Sequence, residues 1–332
     1  MTKTILFDTH CHVFNGSIIQ DMIHLPPILD GVMNLTSKET MLKGWSGYIS
    51  QTAGIFVDSE VANNEYLTKT TLKHFPNASA CATVPLMMDI HYLFSDSMQA
   101  GQPALDGVYS VDNLQNQIDD LRYLSARGNC YPFFAVDTRR AGVVESIIDG
   151  EHVTKTAGRF FGVKMYPRLG YHPMAGTLPA MYEYCASKNI PIMTHCSGTG
   201  FPTWPSSSDK FCSPENFRPA LEANPTLRID FAHFGWSKPD WANSIIDMMS
   251  KYPNVYSDLS CYTSMSNLND FKKAYWNIDI VKQRTIYGSD YDIFYFTETG
   301  TDLDDYINNF QKAFTTEELN NMMTVLPERY LF

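Results

Sequence analysis

Two histidines one residue apart close an apolar run near the start of the chain, Ile5-Leu6-Phe7-Asp8-Thr9-His10-Cys11-His12. Residues two apart on a strand face the same side, so this spacing presents two imidazoles together to a divalent metal. Three further residues follow short apolar runs in the same way: His195, His233 and Asp290. Imidazole nitrogen and carboxylate oxygen suit zinc and, less selectively, iron, manganese or nickel. Three or four such ligands with one open position leave room for a water, whose pKa zinc lowers to about 7. Taken singly, the His-x-His pair fits a structural role, His195 and His233 fit satisfied core histidines, and Asp290 fits a turn cap. All five at strand ends point to a metal site. His24, His74, His91, His152 and His172 lack this placement and read as surface or structural residues.

Such a set needs a scaffold that brings several strand ends together. Candidate strands span 4–9, 80–87, 131–136, 160–165, 191–195, 228–233, 255–259 and 285–289. Helical patterns lie near 59–74, 112–127, 140–150, 174–188, 214–223, 239–251, 267–275, 302–313 and 315–326. Eight strands alternating with helices predict an α/β fold, a (β/α)8 TIM barrel, whose catalytic groups gather at the C-terminal strand ends. An open doubly wound sheet would want a glycine-rich turn after its first strand, where this chain has His-Cys-His. Thr315 or Thr316, with Glu317 and Glu318 following, caps the last helix. Pro239 suits the first turn of a helix carrying Trp241, Ile245, Ile246 and Met249 on one face, and Pro253 follows its end. The expectation is one domain over 1–332 with an insertion at about 14–57 after strand 1. The polar stretch 197–213 follows His195 and should overhang the same end of the barrel.

Composition narrows the function classes. Lys plus Arg (25) against Asp plus Glu (36) gives a net charge of -11, which argues against a broad nucleic-acid surface. No apolar run approaches the roughly 20 residues of a membrane span, and Thr4–His12 reads as a strand of the fold rather than a leader. Seven cysteines, an odd number without CxxC spacing, argue against a disulfide scaffold. A reduced, cytoplasmic enzyme is the expectation. Cys11 and Cys196 each adjoin a candidate ligand and should therefore point to the opposite side, toward the helical shell. Tyr166, Trp204, Trp236, Tyr262 and Tyr291 are candidate pocket walls.

Several motifs run in order along the chain: Phe7-Asp8-Thr9-His10-Cys11-His12, Gly162-Val163-Lys164-Met165-Tyr166 and Pro191-Ile192-Met193-Thr194-His195. They continue as Asp230-Phe231-Ala232-His233-Phe234-Gly235, Asn254-Val255-Tyr256-Ser257-Asp258, Tyr287-Gly288-Ser289-Asp290-Tyr291 and a C-terminal Pro327-Glu328-Arg329-Tyr330-Leu331-Phe332. In these the chain resembles the amidohydrolase superfamily, especially its amidohydrolase-related branch of metal-dependent hydrolases. That branch also includes non-oxidative decarboxylases of the aminocarboxymuconate-semialdehyde type.

The resemblance implies that His10, His12, His195 and Asp290 hold one divalent metal ion, with Zn2+ expected. It places His233 beside the metal-bound water or substrate, to polarise a carbonyl or stabilise an oxyanion. Asp290 also serves as general base. Lys164 admits three readings. Carboxylated, it would bridge two metals, with His10, His12 and Asp290 on one and His195 and His233 on the other. Uncarboxylated, it would bind a substrate carboxylate, helped by Arg168. As a structural residue, it would pair with a neighbouring acid. One metal is the expectation. The implied activity is hydrolysis of an amide, ester or lactone in a small molecule, with decarboxylation of an aromatic or unsaturated acid as the alternative. A binding barrel without turnover is the non-enzymatic alternative. The partner is a small molecule, a carboxylate being compatible, with no nucleic acid or membrane; association into homo-oligomers is left open.

Overall fold

The computed structural model describes residues 4–13, 60–89, 112–200, 209–291 and 302–332. The insertion expected at 14–57, His24, His91, Trp204 and the centre of the 197–213 stretch lie outside the described residues. Among the described residues lie eight strands: β1 (Ile5–Cys11), β2 (Ala80–Pro85), β3 (Phe133–Val136), β4 (Gly162–Met165), β5 (Ile192–His195), β6 (Ile229–Ala232), β7 (Val255–Asp258) and β8 (Thr285–Ile286). β1 pairs with β2, and β3 to β8 pair successively, all parallel. Two seams join these ladders. Tyr131 N donates to Thr83 O at 2.9 Å and Met87 N to Phe133 O at 3.1 Å, linking β2 to β3. Thr9 N donates to Tyr287 O at 3.1 Å and His12 N to Tyr291 O at 2.7 Å, linking β1 to the end of β8. The parallel ladder thus runs round all eight strands in chain order, the (β/α)8 arrangement anticipated from the sequence.

Between and after the strands lie α1 (Glu60–His74), α2 (Asp112–Ala126), α3 (Val143–Ile148), α4 (Leu178–Lys188), α5 (Arg218–Ala223), α6 (Pro239–Lys251), α7 (Met265–Tyr275), α8 (Asp279–Lys282), α9 (Leu303–Ala313), α10 (Thr316–Asn320) and α11 (Leu326–Leu331). Strand alternation divides the core into two layers. Ile192, Phe231 and Val255 join the helix-facing cluster. Phe7, Ala82, Phe133, Met193, Tyr256 and Ile286 pack inside the barrel against Tyr330 and Leu331 of α11. The Tyr330 hydroxyl donates to Ile192 O at 2.9 Å, so α11 closes the barrel end away from the strand C-termini. In β1 the pairing register shifts between Asp8 and Cys11. Such an irregularity changes which residues face inward: Phe7 lies in the inner core, yet it is His10 and His12 that turn into the barrel beyond it.

Several element ends differ from the sequence reading, and three of them bear on the site or the barrel floor. β8 leaves the ladder at Ile286 rather than 289, because Gly288 presses on His10 and Asp290 takes a left-handed backbone with φ 55°. The expected helix over 214–223 is a tight turn at Pro214–Phe217 followed by α5. The last helix does begin at Thr315, whose side chain forms a reciprocal capping box with Glu318. It then passes through a wide turn at Asn321–Val325 and continues to Leu331, since Met322, Met323, Leu326 and Tyr330 keep an apolar face toward the barrel. In α6 the buried stripe is Ala242, Ile245, Met248 and Met249, with Trp241 and Ile246 only partly buried at its edge. Among the described residues no helix is long and apolar enough to cross a membrane.

Candidate metal centre

His10, His12 and Asp290 converge where β1 meets the end of β8. Asp290 Oδ1 lies 3.1 Å from His10 Nε2 and 3.3 Å from His12 Nε2, and all three residues are buried. Each imidazole is held from behind. His10 Nδ1–H donates to Asp258 Oδ2 at 2.7 Å, and His12 Nδ1–H donates to the Leu86 carbonyl at 2.9 Å. A carbonyl only accepts, so the His12 proton sits on Nδ1 and its Nε2 lone pair is aimed at the carboxylate side. Gly288 makes room for this, because a Cβ there would lie 2.4 Å from His10 Cβ. Burial lowers the His12 pKa to about 4 despite the Asp290 carboxylate. Burial also works against the charge on Asp290. Its interactions with His10 and His12 outweigh it and hold Asp290 well below the usual carboxylate range. A neutral imidazole beside an ionised carboxylate is the protonation state that metal binding requires.

His195 and His233 form a second feature of the same cavity. His195 Nε2–H donates to the Thr199 carbonyl at 2.8 Å, which leaves a lone pair on Nδ1. The Ser260 hydroxyl donates to Asp258 Oδ1 in a short contact. It therefore accepts from His233 Nδ1–H at 2.8 Å, with the Ser260 carbonyl at 3.3 Å also on that side. His233 Nε2 thus carries a lone pair as well, and it faces His195 Nδ1 across 3.1 Å. A shared proton is disfavoured: burial above all pushes His195 well below its ordinary value, and it takes His233 to about 4 despite the Asp290 carboxylate. Two facing lone pairs repel unless a cation lies between them. Two zinc–nitrogen bonds of about 2.0 Å at the tetrahedral angle span about 3.3 Å, close to what is found. The donor set therefore fits a divalent metal. His195 stands outside the tight His10–His12–Asp290 group and is linked to it through His233, which itself lies with His10 and Asp258.

Asp258, at the end of β7, organises both halves. Its Oδ1 accepts from the backbone N–H of His233 at 3.0 Å and of Ser260 at 2.9 Å, while Oδ2 holds His10. Burial opposes its charge, but His10 and these hydrogen bonds prevail and keep Asp258 ionised.

Lys164 projects into this acidic interior from β4. It is 2% exposed, and among the described residues its ammonium makes no ion pair or hydrogen bond. The pairing with an acid foreseen as its structural role is thus not found there. Burial lowers its pKa to about 8, while Asp290, Asp258 and Asp230 pull in the other direction. Arg168 is buried and pairs with Asp209 through Nη1.

The remaining sequence candidates separate clearly. Cys11 packs with Leu67, Leu303 and Ile307, and Cys196 joins the helix-facing core, both away from the metal groups as their parity predicts. Tyr166 lies against His195 with ring centres 4.4 Å apart, and Trp236 packs on Tyr262 at 4.6 Å. Tyr291 belongs to the outer cluster with Cys11. His74 pairs with Asp304, and His152 stacks on Phe134. Sequence reasoning singled out neither Ser260 nor Cys261 and gave Asp258 no role. All three lie at or just after the end of β7, in the same position relative to their strand as the histidines it did select. Cys261 Sγ lies 2.7 Å from Asp290 Oδ2. His233, Cys261 and Asp290 all take left-handed backbone, with φ of 64°, 64° and 55°. Side-chain residues seldom adopt this region, and such outliers concentrate at functional sites.

A ring of parallel strands carries buried histidines and aspartates at its C-terminal ends, groups that could hold a metal ion. The amidohydrolase family model matches residues 7–323, and the chain belongs to that family. No curated protein sequence matches. Among solved structures, 2,6-dihydroxybenzoate decarboxylase from Rhizobium is similar, with TM-score 0.61 and 11% identity, over 100% of this chain and 99% of that one. A proposed 2-pyrone-4,6-dicarboxylic acid hydrolase from Pseudomonas putida aligns with TM-score 0.59 and 13% identity, over 100% and 98%. The 5-carboxyvanillate decarboxylase from Novosphingobium aromaticivorans, complexed with manganese and a nitrobenzoic acid, aligns with TM-score 0.58 and 13% identity, over 99% and 96%. At these identities the likeness establishes the fold.

Proposed function

We propose that this protein is a metal-dependent hydrolase that cleaves an amide, ester or lactone bond in a small, carboxylate-bearing molecule. One observation carries the reading: Nε2 of His10, Nε2 of His12 and Oδ1 of Asp290 converge beside a buried ammonium, Lys164, that has no partner among the described residues. His10, His12 and Asp290 would hold the ion, with the His195 Nδ1 lone pair turned into the same cavity. Zn2+ suits this nitrogen and oxygen set. When bound, the ion supplies Lewis acidity and acidifies water.

The chain's own groups account for the rest. Asp290 stays ionised and accepts the proton of the attacking water on a carboxylate oxygen. Its depressed pKa also makes the protonated form a ready donor to the leaving group. His233 is neutral near pH 7, and its Nε2 lone pair faces His195 across the cavity. With its proton on Nδ1, His233 presents Nε2 as an acceptor, so it orients the attacking water by accepting one O–H while Asp290 takes the other proton. Lys164 attracts the substrate carboxylate, an interaction strengthened by burial.

A buried cation facing a carboxylate also supports a second reading, decarboxylation of a small aromatic or unsaturated acid. The facing lone pairs of His195 and His233 support occupancy by a second ion, with Lys164 carboxylated as the bridge. A panel of small acids bearing amide, ester or lactone bonds, incubated with the zinc-loaded protein and read by mass spectrometry, tests the proposal. Products that gain one water uphold it. Release of carbon dioxide without water addition would replace hydrolysis with the lyase reading. No turnover of either kind across the panel would favour a binding barrel.

A further inference from the structure

The thiol of Cys261 enters the site from a strand end that contributes none of the expected metal ligands. Its Sγ lies 2.7 Å from Asp290 Oδ2, whereas Asp290 Oδ1 faces His10 and His12. The carboxylate therefore has the histidine pair on one oxygen and sulfur on the other. Ligand atoms of His233, Cys261 and Asp290 all lie within 4.8 Å of one another, a compact nitrogen, sulfur and oxygen set. A separate observation points to a cation at this set. Among the described residues, the buried Nε2 of His233 carries a lone pair that faces another lone pair, that of His195 Nδ1. Cys261 is also distinct among the seven cysteines: the other six are buried and it is partly exposed.

We propose that Cys261 is a sulfur ligand of the divalent ion held by this site, on the Oδ2 side of Asp290 and beside His233. The proposal rests on the metal reading given above. Thiolate is a soft donor that favours zinc over magnesium, calcium or manganese, so Cys261 would also bias metal choice. Binding breaks the S–H bond, forms the metal–sulfur bond and releases the thiol proton to solvent, with no change of oxidation state.

Cobalt(II) is the probe, because a thiolate ligand gives it an intense near-ultraviolet sulfur-to-metal absorption that nitrogen and oxygen ligands do not give. The metal-free full chain is titrated with cobalt alongside Cys261→Ser, Cys261→Ala and His10→Ala. The expected result is that band in the wild type and its loss in both Cys261 variants, with visible cobalt bands retained. Cobalt bound in a His10-dependent manner without the sulfur band, or with a band that survives in Cys261→Ser, overturns the assignment while leaving the metal reading intact. No cobalt uptake at all overturns both. A measurement on the wild type alone covers the case where the variants fail to fold. Alkylation of Cys261, followed by peptide mass spectrometry, should slow at least tenfold on zinc loading; an unchanged rate contradicts ligation.

Discussion

His10 Nδ1 and Asp258 Oδ2 lie 2.7 Å apart although 248 positions separate them in the chain. This contact fixes the His10 proton on Nδ1 and leaves Nε2 for the metal. Asp258→Asn is nearly isosteric but reverses the pattern. The two backbone N–H groups at Oδ1 would claim the amide oxygen and turn the amide nitrogen, a donor, toward His10. The imidazole would then favour a proton on Nε2, the wrong tautomer for binding. The expected outcome is a loss of metal affinity of about 10- to 100-fold, measured by competition with a chromophoric chelator. Unchanged affinity would show that Asp258 does not set the tautomer.

Gly288→Ala tests the packing behind the same histidine. Its added Cβ would meet His10 Cβ at 2.4 Å, with the His10 backbone N at 3.1 Å, and neither neighbour is a flexible side-chain tip. Overpacking of this kind costs about 1–3 kcal/mol. Chemical denaturation should show that loss, together with weaker metal binding because His10 must move. Wild-type stability and metal affinity in the variant would contradict the close approach.

Lys164 yields a pH dependence with a definite sign. Its pKa is about 8 when folded against an ordinary 10.5, because burial disfavours the ammonium. The folded state therefore binds fewer protons than the unfolded chain between these values, and unfolding free energy rises with pH across that window. Below about 8 the full cost of the buried charge is present. Lys164→Met should remove this rise and make the metal-free protein more stable at pH 7. The same substitution should raise KM for an anionic substrate by roughly 10- to 100-fold, from the loss of a charge-assisted contact of about 1.5–3 kcal/mol. In the wild type KM should climb above pH 8. A variant with unchanged KM would remove Lys164 from substrate binding.

The fold and half of the site are legible in the sequence for one reason: both follow from local pattern. Apolar runs separated by helical periodicity give the eight strands, and position at the end of a strand selects His10, His12, His195, His233 and Asp290. The bulge in β1 is less accessible. Strict alternation from Phe7 would turn Thr9 inward, and only the register shift against β2 brings His10 and His12 into the barrel. The Asp258–His10 contact and the approach of Cys261 to Asp290 depend on which strand ends meet across the ring, information that no local window contains. The position rule applied to every strand would still have pointed at Asp258-Leu259-Ser260-Cys261. The histidines drew the reading elsewhere because their side chains announce metal chemistry, whereas Asp258 and Cys261 are common residues whose role depends on their neighbours. Short strand ends had a similar cause: Gly288 and the left-handed Asp290 interrupt β8 to serve the site, against the β propensity of the run.

The most direct test is the metal content of the protein purified without added metal, measured by elemental mass spectrometry beside His10→Ala of matched fold. The account predicts about one divalent ion per chain in the wild type, or about two if His195 and His233 hold their own, and loss of the ion in the variant. No bound metal after reconstitution, or equal metal in both proteins, would contradict the assignment of His10, His12 and Asp290 as the metal centre.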